Sequence, residues 1–324
     1  MSDNVLPTVA DIRAAHERIR HYIVRTPLLR ADVLDEMTGG AMFCKAECLQ
    51  GTGSFKLRGA LNHMLSLTEE EKSRGVVAYS SGNHAQGVAR AAKIVGVQAA
   101  IVMPADAPQA KRERTARDGA EVILYDRERE SREDIGAALA KERGAKLIPP
   151  YDHVLTIAGQ GTAGVEIAED MAGPIDQVVI CCGGGGLATG VALAVRDSYP
   201  DARIVVAEPE GFDDFGRSLA LGERVANERL GGSICDAVLT PTPGELTFPV
   251  LKRHDATGVA VSDDEALDAM AFAVRELKVT LEPGGAVALA AVLTGKVETK
   301  GTRTAVMLSG GNADLTVLSR ALAR

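Results

Sequence analysis

Gln177-Val178-Val179-Ile180-Cys181-Cys182-Gly183-Gly184-Gly185-Gly186-Leu187 runs from a short β-branched apolar stretch into four consecutive glycines and then into a helical pattern. Strand, glycine loop and helix in that order form an anion-binding arrangement. Backbone without side chains can approach a phosphate, and the N–H groups of the helix start point at it. A flexible linker is the plain alternative, but linkers carry Ser and other polar residues and rarely separate a buried strand from a helix.

Outward from this loop the chain keeps alternating. Strand-like runs at 76–81, 99–103, 121–125, 177–182, 203–208 and 304–309 are separated by helical stretches at 85–95, 131–143, 164–171, 188–199 and 263–278. A first helix is predicted over residues 8–24, where Thr8 to Asp11 has capping-box spacing and Ile12, Ile19 and Ile23 recur at helical intervals. Ser131 to Asp134 and Ser262 to Glu265 repeat that spacing. Such alternation implies right-handed βαβ crossovers and mostly parallel sheets, with ligands gathered at the carboxyl ends of strands. Three β-α units crowd into residues 75–148, before Pro149-Pro150 interrupts the pattern. The prediction is an α/β fold of two lobes, each a mostly parallel sheet flanked by helices. The small lobe would span residues 53–148, with its core at about 75–148, inserted in a large lobe made of 1–52 and 149–324.

Composition agrees with this class. The chain has 324 residues, no Trp and only 3% aromatics, so its core must rest on Val, Leu, Ile and Ala, as in parallel α/β layers. A net charge of −8 argues against nucleic acid or an anionic membrane as the main partner and favours a small molecule. Met1-Ser2-Asp3-Asn4 has no basic or apolar leader character, and no apolar run has the length of a bilayer span, which predicts a cytoplasmic protein. Cys44, Cys48, Cys181, Cys182 and Cys235 have no paired metal spacing and read as buried structural thiols.

Gly53-Ser54-Phe55-Lys56-Leu57-Arg58-Gly59-Ala60 holds one lysine between small residues, an aromatic ring and a glycine. Buried there, Lys56 would have a lowered pKa and could form a Schiff base. The alternative is an amphipathic helix whose Lys56 and Arg58 face water. Ser80-Ser81-Gly82-Asn83-His84 follows a strand and opens a helix, offering hydroxyl, amide and backbone N–H groups to a carboxylate, or simply an N-cap. Ser309-Gly310-Gly311-Asn312 closes the last strand in the same way. Gly183, Gly185 and Ala188 also make a loose dinucleotide fingerprint, with Glu208 where a ribose-binding acid would sit, so a nicotinamide dehydrogenase is an alternative. Glu208 and Asp214, with an intervening carbonyl, have spacing for a hard cation or for a solvated loop.

Taken together, in order and at these separations, the Lys56 octet, the Ser80 to His84 turn, the glycine loop and Ser309 to Asn312 resemble the fold-type II pyridoxal phosphate enzymes, with the tryptophan synthase β-like fold. The likeness covers nearly the whole chain and is to the serine racemase and serine/threonine dehydratase family, which includes 3-hydroxyaspartate dehydratases. It implies that Lys56 carries the cofactor and serves as base at the substrate Cα, with Ser81 as acid or base on the other face. Phe55 would pack beside the cofactor, Asn83 would bond its phenolic oxygen, and Gly183, Gly184, Gly185, Gly186 and Leu187 would hold its phosphate. Ser309 would face the pyridine nitrogen. A neutral hydroxyl keeps that ring a weaker electron sink than an aspartate would, which favours elimination of a β-hydroxyl over a long-lived carbanion.

The resemblance further implies that Ser80, Ser81, Gly82, Asn83 and His84 hold the substrate carboxylate. Glu208, the Phe212 carbonyl and Asp214 would hold Mg²⁺, or Ca²⁺ or Mn²⁺ in its place, and the assembly would be a homodimer. The expected reaction is dehydration of serine, threonine or 3-hydroxyaspartate to a 2-oxo acid and ammonia, with racemisation as an alternative or side activity. A pyridoxal phosphate carrier without catalysis is the non-enzymatic alternative. The chain departs from the family pattern at residues 226–248. It reads Gly231-Gly232-Ser233-Ile234-Cys235-Asp236 and Pro241-Thr242-Pro243-Gly244-Glu245 where an Ala-Asp-Gly stretch is usual, so the substrate side chain stays open. Arg132 is the candidate cation for a β-carboxylate, against the alternative of a helix-surface arginine.

Overall fold

A computed structural model describes residues 6–107, 109–229 and 231–324; Met1 to Asn4, read above for leader character, lie outside them. Ten strands are present among the described residues: β1 Leu28–Leu29, β2 Ala41–Lys45, β3 Val76–Tyr79, β4 Ala99–Pro104, β5 Glu121–Tyr125, β6 Lys146–Leu147, β7 Gln177–Cys181, β8 Arg203–Pro209, β9 Thr257–Val261 and β10 Arg303–Met307. They form two sheets. Six strands run in the order β1-β2-β10-β7-β8-β9 and four in the order β5-β4-β3-β6. Every pair is parallel except β1 with β2. Both sheets are sandwiched by helices, which is why strands such as β4 and β7 are buried along their full length and read as apolar runs.

The order within each sheet decides what meets at its carboxyl edge. β10 and β7 are neighbours in register, Val306 opposite Val179, so the loop after β7 and the turn after β10 lie side by side. In the smaller sheet β3 sits between β4 and β6, and its carboxyl end opens directly into the Ser80 to His84 turn.

The predicted first helix is shorter than residues 8–24: it spans Val9–Ile19 behind the Thr8 and Asp11 capping box. Ser262 and Glu265 form a second reciprocal box. The largest departure is the stretch read as 164–171, which is a 17-residue helix, Val154–Asp170. Three glycines at 159, 161 and 164 hide it from sequence reading, because glycine is a poor helix former. Their reason is packing. A Cβ on Gly159 would lie 2.5 Å from the Arg58 carbonyl oxygen, and one on Gly161 2.8 Å from that of Gly190 on the helix Gly186–Ser198. The helix Pro283–Leu293 escaped for another reason. Residues 283–292 are all buried, so it has no polar face to mark a period. The predicted 263–278 helix holds to Phe272 and then widens into one π-helical turn, Ala273–Leu277.

Candidate active site

Lys56 opens the helix Lys56–Leu65, and the segment before it is stitched to the end of β10. Phe55 N–H donates to the Ser309 carbonyl at 3.1 Å, and Ser54 bridges Gly310 antiparallel. This pairing brings the lysine to the serine from across the chain. The Lys56 ammonium donates to the Pro150 carbonyl at 2.8 Å and lies 5.0 Å from the centroid of the Phe55 ring. Burial pushes its pKa down to about 8, against a weaker upward pull from Cys181 and Glu282. Arg58, the other cation of the octet, is wholly buried between Glu47 and Glu166. The water-facing reading of this helix is therefore overturned.

Around Lys56 lies a cleft of about 1150 Å³, counted to its open mouth, between the carboxyl edges of the two sheets. It brings together Phe55, Lys56, Ser80, Ser81, Gly82, Asn83, His84, Arg132, Gly183, Gly184, Gly185, Gly186, Leu187 and Ser309. Close packing explains why four glycines are needed in the loop. A Cβ on Gly184 would lie 2.3 Å from the Tyr151 ring, and one on Gly185, held at φ +89°, 2.4 Å from Phe215. The following helix has no side-chain cap, so its first N–H groups are left for a ligand.

The Ser80 to His84 turn leads the helix Asn83–Val95, also without a side-chain cap. A Cβ on Gly82 would meet no protein atom within 4 Å, so this backbone faces open cleft. His84 is buried with Nε2 2.8 Å from the Ile148 carbonyl oxygen, and burial, with Lys56 nearby, holds its pKa down at about 3. It is a neutral hydrogen-bonding ring. The Asn83 side chain donates to Glu282 Oε1 at 2.5 Å and accepts from Asn312 Nδ2 at 2.8 Å. Glu282 is 5% exposed and its carboxyl is pushed up to about 7 by burial, against the Asn83 hydrogen bond.

Glu208, Phe212 and Asp214 do not line the cleft. Glu208 ends β8 wholly buried and accepts from the backbone N–H groups of Phe215 and Gly216. Asp214 accepts from Asn227 through Oδ1, while its buried Oδ2 has no hydrogen-bond partner. Among the described residues no cluster of three His, Cys, Asp or Glu side chains fits a metal ion, so the expected cation would have only two carboxylates and carbonyl oxygens. All five cysteines are unpaired and buried, and burial pushes the Cys181 thiol up to about 11.

Residues 19–310 match the pyridoxal-phosphate dependent enzyme family. The chain belongs to that family. It is 40% identical over 316 residues to a serine racemase of Schizosaccharomyces pombe, covering 97% of each chain. It is 42% identical over 310 residues to an L-threo-3-hydroxyaspartate ammonia-lyase of a Pseudomonas species, covering 96% of this chain and 97% of that protein. The solved structure of maize serine racemase superposes with a TM-score of 0.92 at 38% identity, covering 98% of each chain.

As a pyridoxal phosphate enzyme, the protein needs a carbonyl-reactive amine beside unpaired N–H donors, and the cleft provides both in Lys56 and the glycine loop. The nicotinamide alternative falls with the family, and locally with Glu208, whose buried carboxylate is committed to backbone and not open to a ribose. Sequence reading missed Glu282, Tyr151, Gln160 and Lys111, all of which line the cleft. For Tyr151 the signal was the Pro149-Pro150 break just before it. Glu282 was marked only by standing before Pro283 at a helix start.

Proposed function

We propose that this pyridoxal phosphate enzyme is a dehydratase, an ammonia-lyase that removes water from a β-hydroxy amino acid: serine, threonine or 3-hydroxyaspartate. The observation that carries the reading is a desolvated Lys56, with pKa about 8, sharing one cleft with the Ser80 to His84 turn and the neutral Ser309. The names of the relatives, a hydroxyaspartate ammonia-lyase and a serine racemase, support the same chemistry.

Lys56 would carry the cofactor and then accept the proton from the substrate Cα, its lowered pKa making the amine a base near neutral pH. Phe55 would flank the ring, Asn83 would bond its phenolic oxygen, and Ser309 would meet its nitrogen. Backbone N–H groups of Gly183, Gly184, Gly185, Gly186 and Leu187 would hold the phosphate. Bound pyridoxal phosphate supplies the electron sink that makes the Cα proton acidic. Ser80, Ser81, Gly82, Asn83 and His84 would hold the α-carboxylate. The β-hydroxyl leaves as water, and the freed enamine hydrolyses to a 2-oxo acid and ammonia. Ser81 in the same cleft would serve as the second acid or base, which also supports racemisation as a side activity.

Screening purified holoenzyme for ammonia release from serine, threonine and the 3-hydroxyaspartate stereoisomers, with D-serine followed in parallel, tests this. Absence of ammonia from every one overturns it.

Around this centre we place the small lobe at residues 53–148 and the large lobe at 1–52 and 149–324. Glu208, the Phe212 carbonyl and Asp214 would hold Mg²⁺, Ca²⁺ or Mn²⁺ behind the glycine loop, a reading supported by the unpartnered Asp214 Oδ2. Chelation should then lower the thermal midpoint, and added Mg²⁺ or Ca²⁺ should restore it; an unchanged midpoint removes the cation. A cytoplasmic homodimer completes the proposal. It is supported by the acidic charge and by the family resemblance, and no helix among the described residues is long and apolar enough to cross a membrane.

A further inference from the structure

The Pro150 carbonyl accepts two hydrogen bonds, one from the Lys56 ammonium at 2.8 Å and one from Gln160 Nε2 at 3.1 Å, which takes up both of its lone pairs. It lies on the stretch that leads from β6 into the helix Val154–Asp170, and this stretch is held firmly. Pro149 and Pro150 restrict the backbone and bring no N–H of their own. The preceding carbonyls are held as well: His84 Nε2 lies 2.8 Å from the Ile148 oxygen, and the Thr156 hydroxyl donates to the Pro149 oxygen at 3.2 Å. Thr156 and Gln160 stand one turn apart on the helix Val154–Asp170, so a single helix face pins two successive carbonyls.

Gln160 occupies this place at a cost to the fold. It is 1% exposed and lines the cleft, and its Oε1 has no hydrogen-bond partner among the described residues. That oxygen lies against the glycine loop, where a Cβ on Gly186 would come within 2.6 Å of it. Turning the amide over would aim Oε1 at the Pro150 oxygen and lose the hydrogen bond, so the orientation is fixed. A buried acceptor without a partner costs about 1–3 kcal/mol. An apolar side chain of the same length would avoid that cost, so the glutamine serves something other than stability.

What it serves follows from the carbonyl that it shares. To carry pyridoxal phosphate, the Lys56 amine condenses with the cofactor aldehyde with loss of water, and its N–H donor leaves Pro150. A buried carbonyl left alone would draw the lysine back. Gln160 stays on it.

We propose that Gln160 is a positioning residue: with the Pro150 carbonyl it forms the resting place of the free Lys56 amine, and it keeps that carbonyl partnered while Lys56 is joined to the cofactor. The inference rests on Lys56 as the cofactor lysine and is independent of which reaction follows.

Gln160→Met keeps the length of the side chain and removes the donor. Apoprotein of wild type and variant is titrated with pyridoxal phosphate by absorption, its thermal midpoint is measured, and the loaded protein is reduced with borohydride and mapped. In the variant's apoprotein Lys56 still partners the carbonyl, whereas in its holoenzyme nothing does. Cofactor affinity should therefore fall roughly tenfold or more, with the apoprotein midpoint no lower than in wild type and the label on Lys56 in both. Unchanged affinity overturns the inference. A weaker affinity together with a lower apoprotein midpoint also overturns it, because the glutamine then supports the fold. Label on another lysine overturns Lys56 as the cofactor lysine and this inference with it, an outcome distinct from unchanged affinity with Lys56 labelled.

Gln160→Glu tests the resting place without cofactor or turnover. Its carboxylate would stand beside the same carbonyl and take the ammonium as partner, so acylation of Lys56 in the apoprotein should level off roughly one pH unit higher than in wild type. An unchanged profile means that the free amine rests elsewhere, and overturns the inference even where ammonia is released from a β-hydroxy amino acid. A shifted profile in a protein that releases no ammonia from any of them overturns the dehydratase reading and leaves the resting place standing.

Discussion

The surroundings of Lys56 act together on one proton. Desolvation disfavours its ammonium, and the first turn of a helix acts in the same direction. The folded pKa lies below the ordinary lysine value, so the amine becomes neutral as pH rises through about 8 and not near 10.5. Acylation of Lys56 in apoprotein, followed by peptide mass spectrometry, should therefore level off just above pH 8; a rise that continues to pH 10 contradicts the burial. Lys56→Ala should yield folded protein without turnover, and borohydride should fix the cofactor to Lys56 in the wild type. Burial acts in the same direction on His63 and His84. Both pKa values are held down at about 3, chiefly by desolvation, with His153 adding to the effect at His63 and Lys56 at His84. The sign follows: these rings refuse protons that free imidazoles accept near 6.5. Their NMR signals should stay in the neutral position from pH 7 to 4.

At the scale of elements, glycines inside helices mark where backbones touch. The helices Val154–Asp170 and Gly186–Ser198 cross at Gly161 and Gly190, and a Cβ on Gly190 would lie 2.6 Å from the backbone of Gly161. Alanine at 161 gains about 1 kcal/mol of helix propensity. Overpacking against a rigid backbone costs about 1–3 kcal/mol or more. Gly161→Ala should thus be net destabilising in denaturant unfolding, and a neutral or stabilising result would show that the helices separate freely. The same crossing explains why helical periodicity was read only from residue 164. The motifs that were legible are of another kind: Lys56, Ser80 to His84, the glycine loop and Ser309 sit at strand ends or helix starts, where side-chain chemistry is local. Glu282 and Tyr151 enter the cleft from segments with no such signature.

At the scale of the whole molecule, Lys45, Glu47, Arg58 and Glu166 form a buried ionic cluster, all with side chains no more than 2% exposed. Arg58 bonds Glu47 through Nε at 2.8 Å and Nη2 at 2.7 Å, and Glu166 through Nη1 at 2.8 Å and Nη2 at 2.7 Å. Glu47 follows β2 of the six-stranded sheet, and Glu166 lies on the helix Val154–Asp170, so one guanidinium ties the Lys56 helix to both. Removing a single partner from a buried ionic network leaves opposite charges unpaired, at a cost of about 3–5 kcal/mol. Arg58→Met should lower stability by that order in chemical denaturation; a change below about 1 kcal/mol would mean that water reaches the cluster.

The sequence by itself determined the α/β class and the motifs, Lys56, the glycine loop and the serines at 80, 81 and 309, that the fold gathers in one cleft, because each is a short-range pattern of backbone freedom, capping and side-chain type. Tertiary structure alone decided that Arg58 is a buried tie, that Glu282 holds Asn83, and that Tyr79 and Tyr151 line the cleft around Lys56. Those facts depend on strand order and on helices meeting through glycine. Contacts between residues far apart in the chain leave no period in the local sequence.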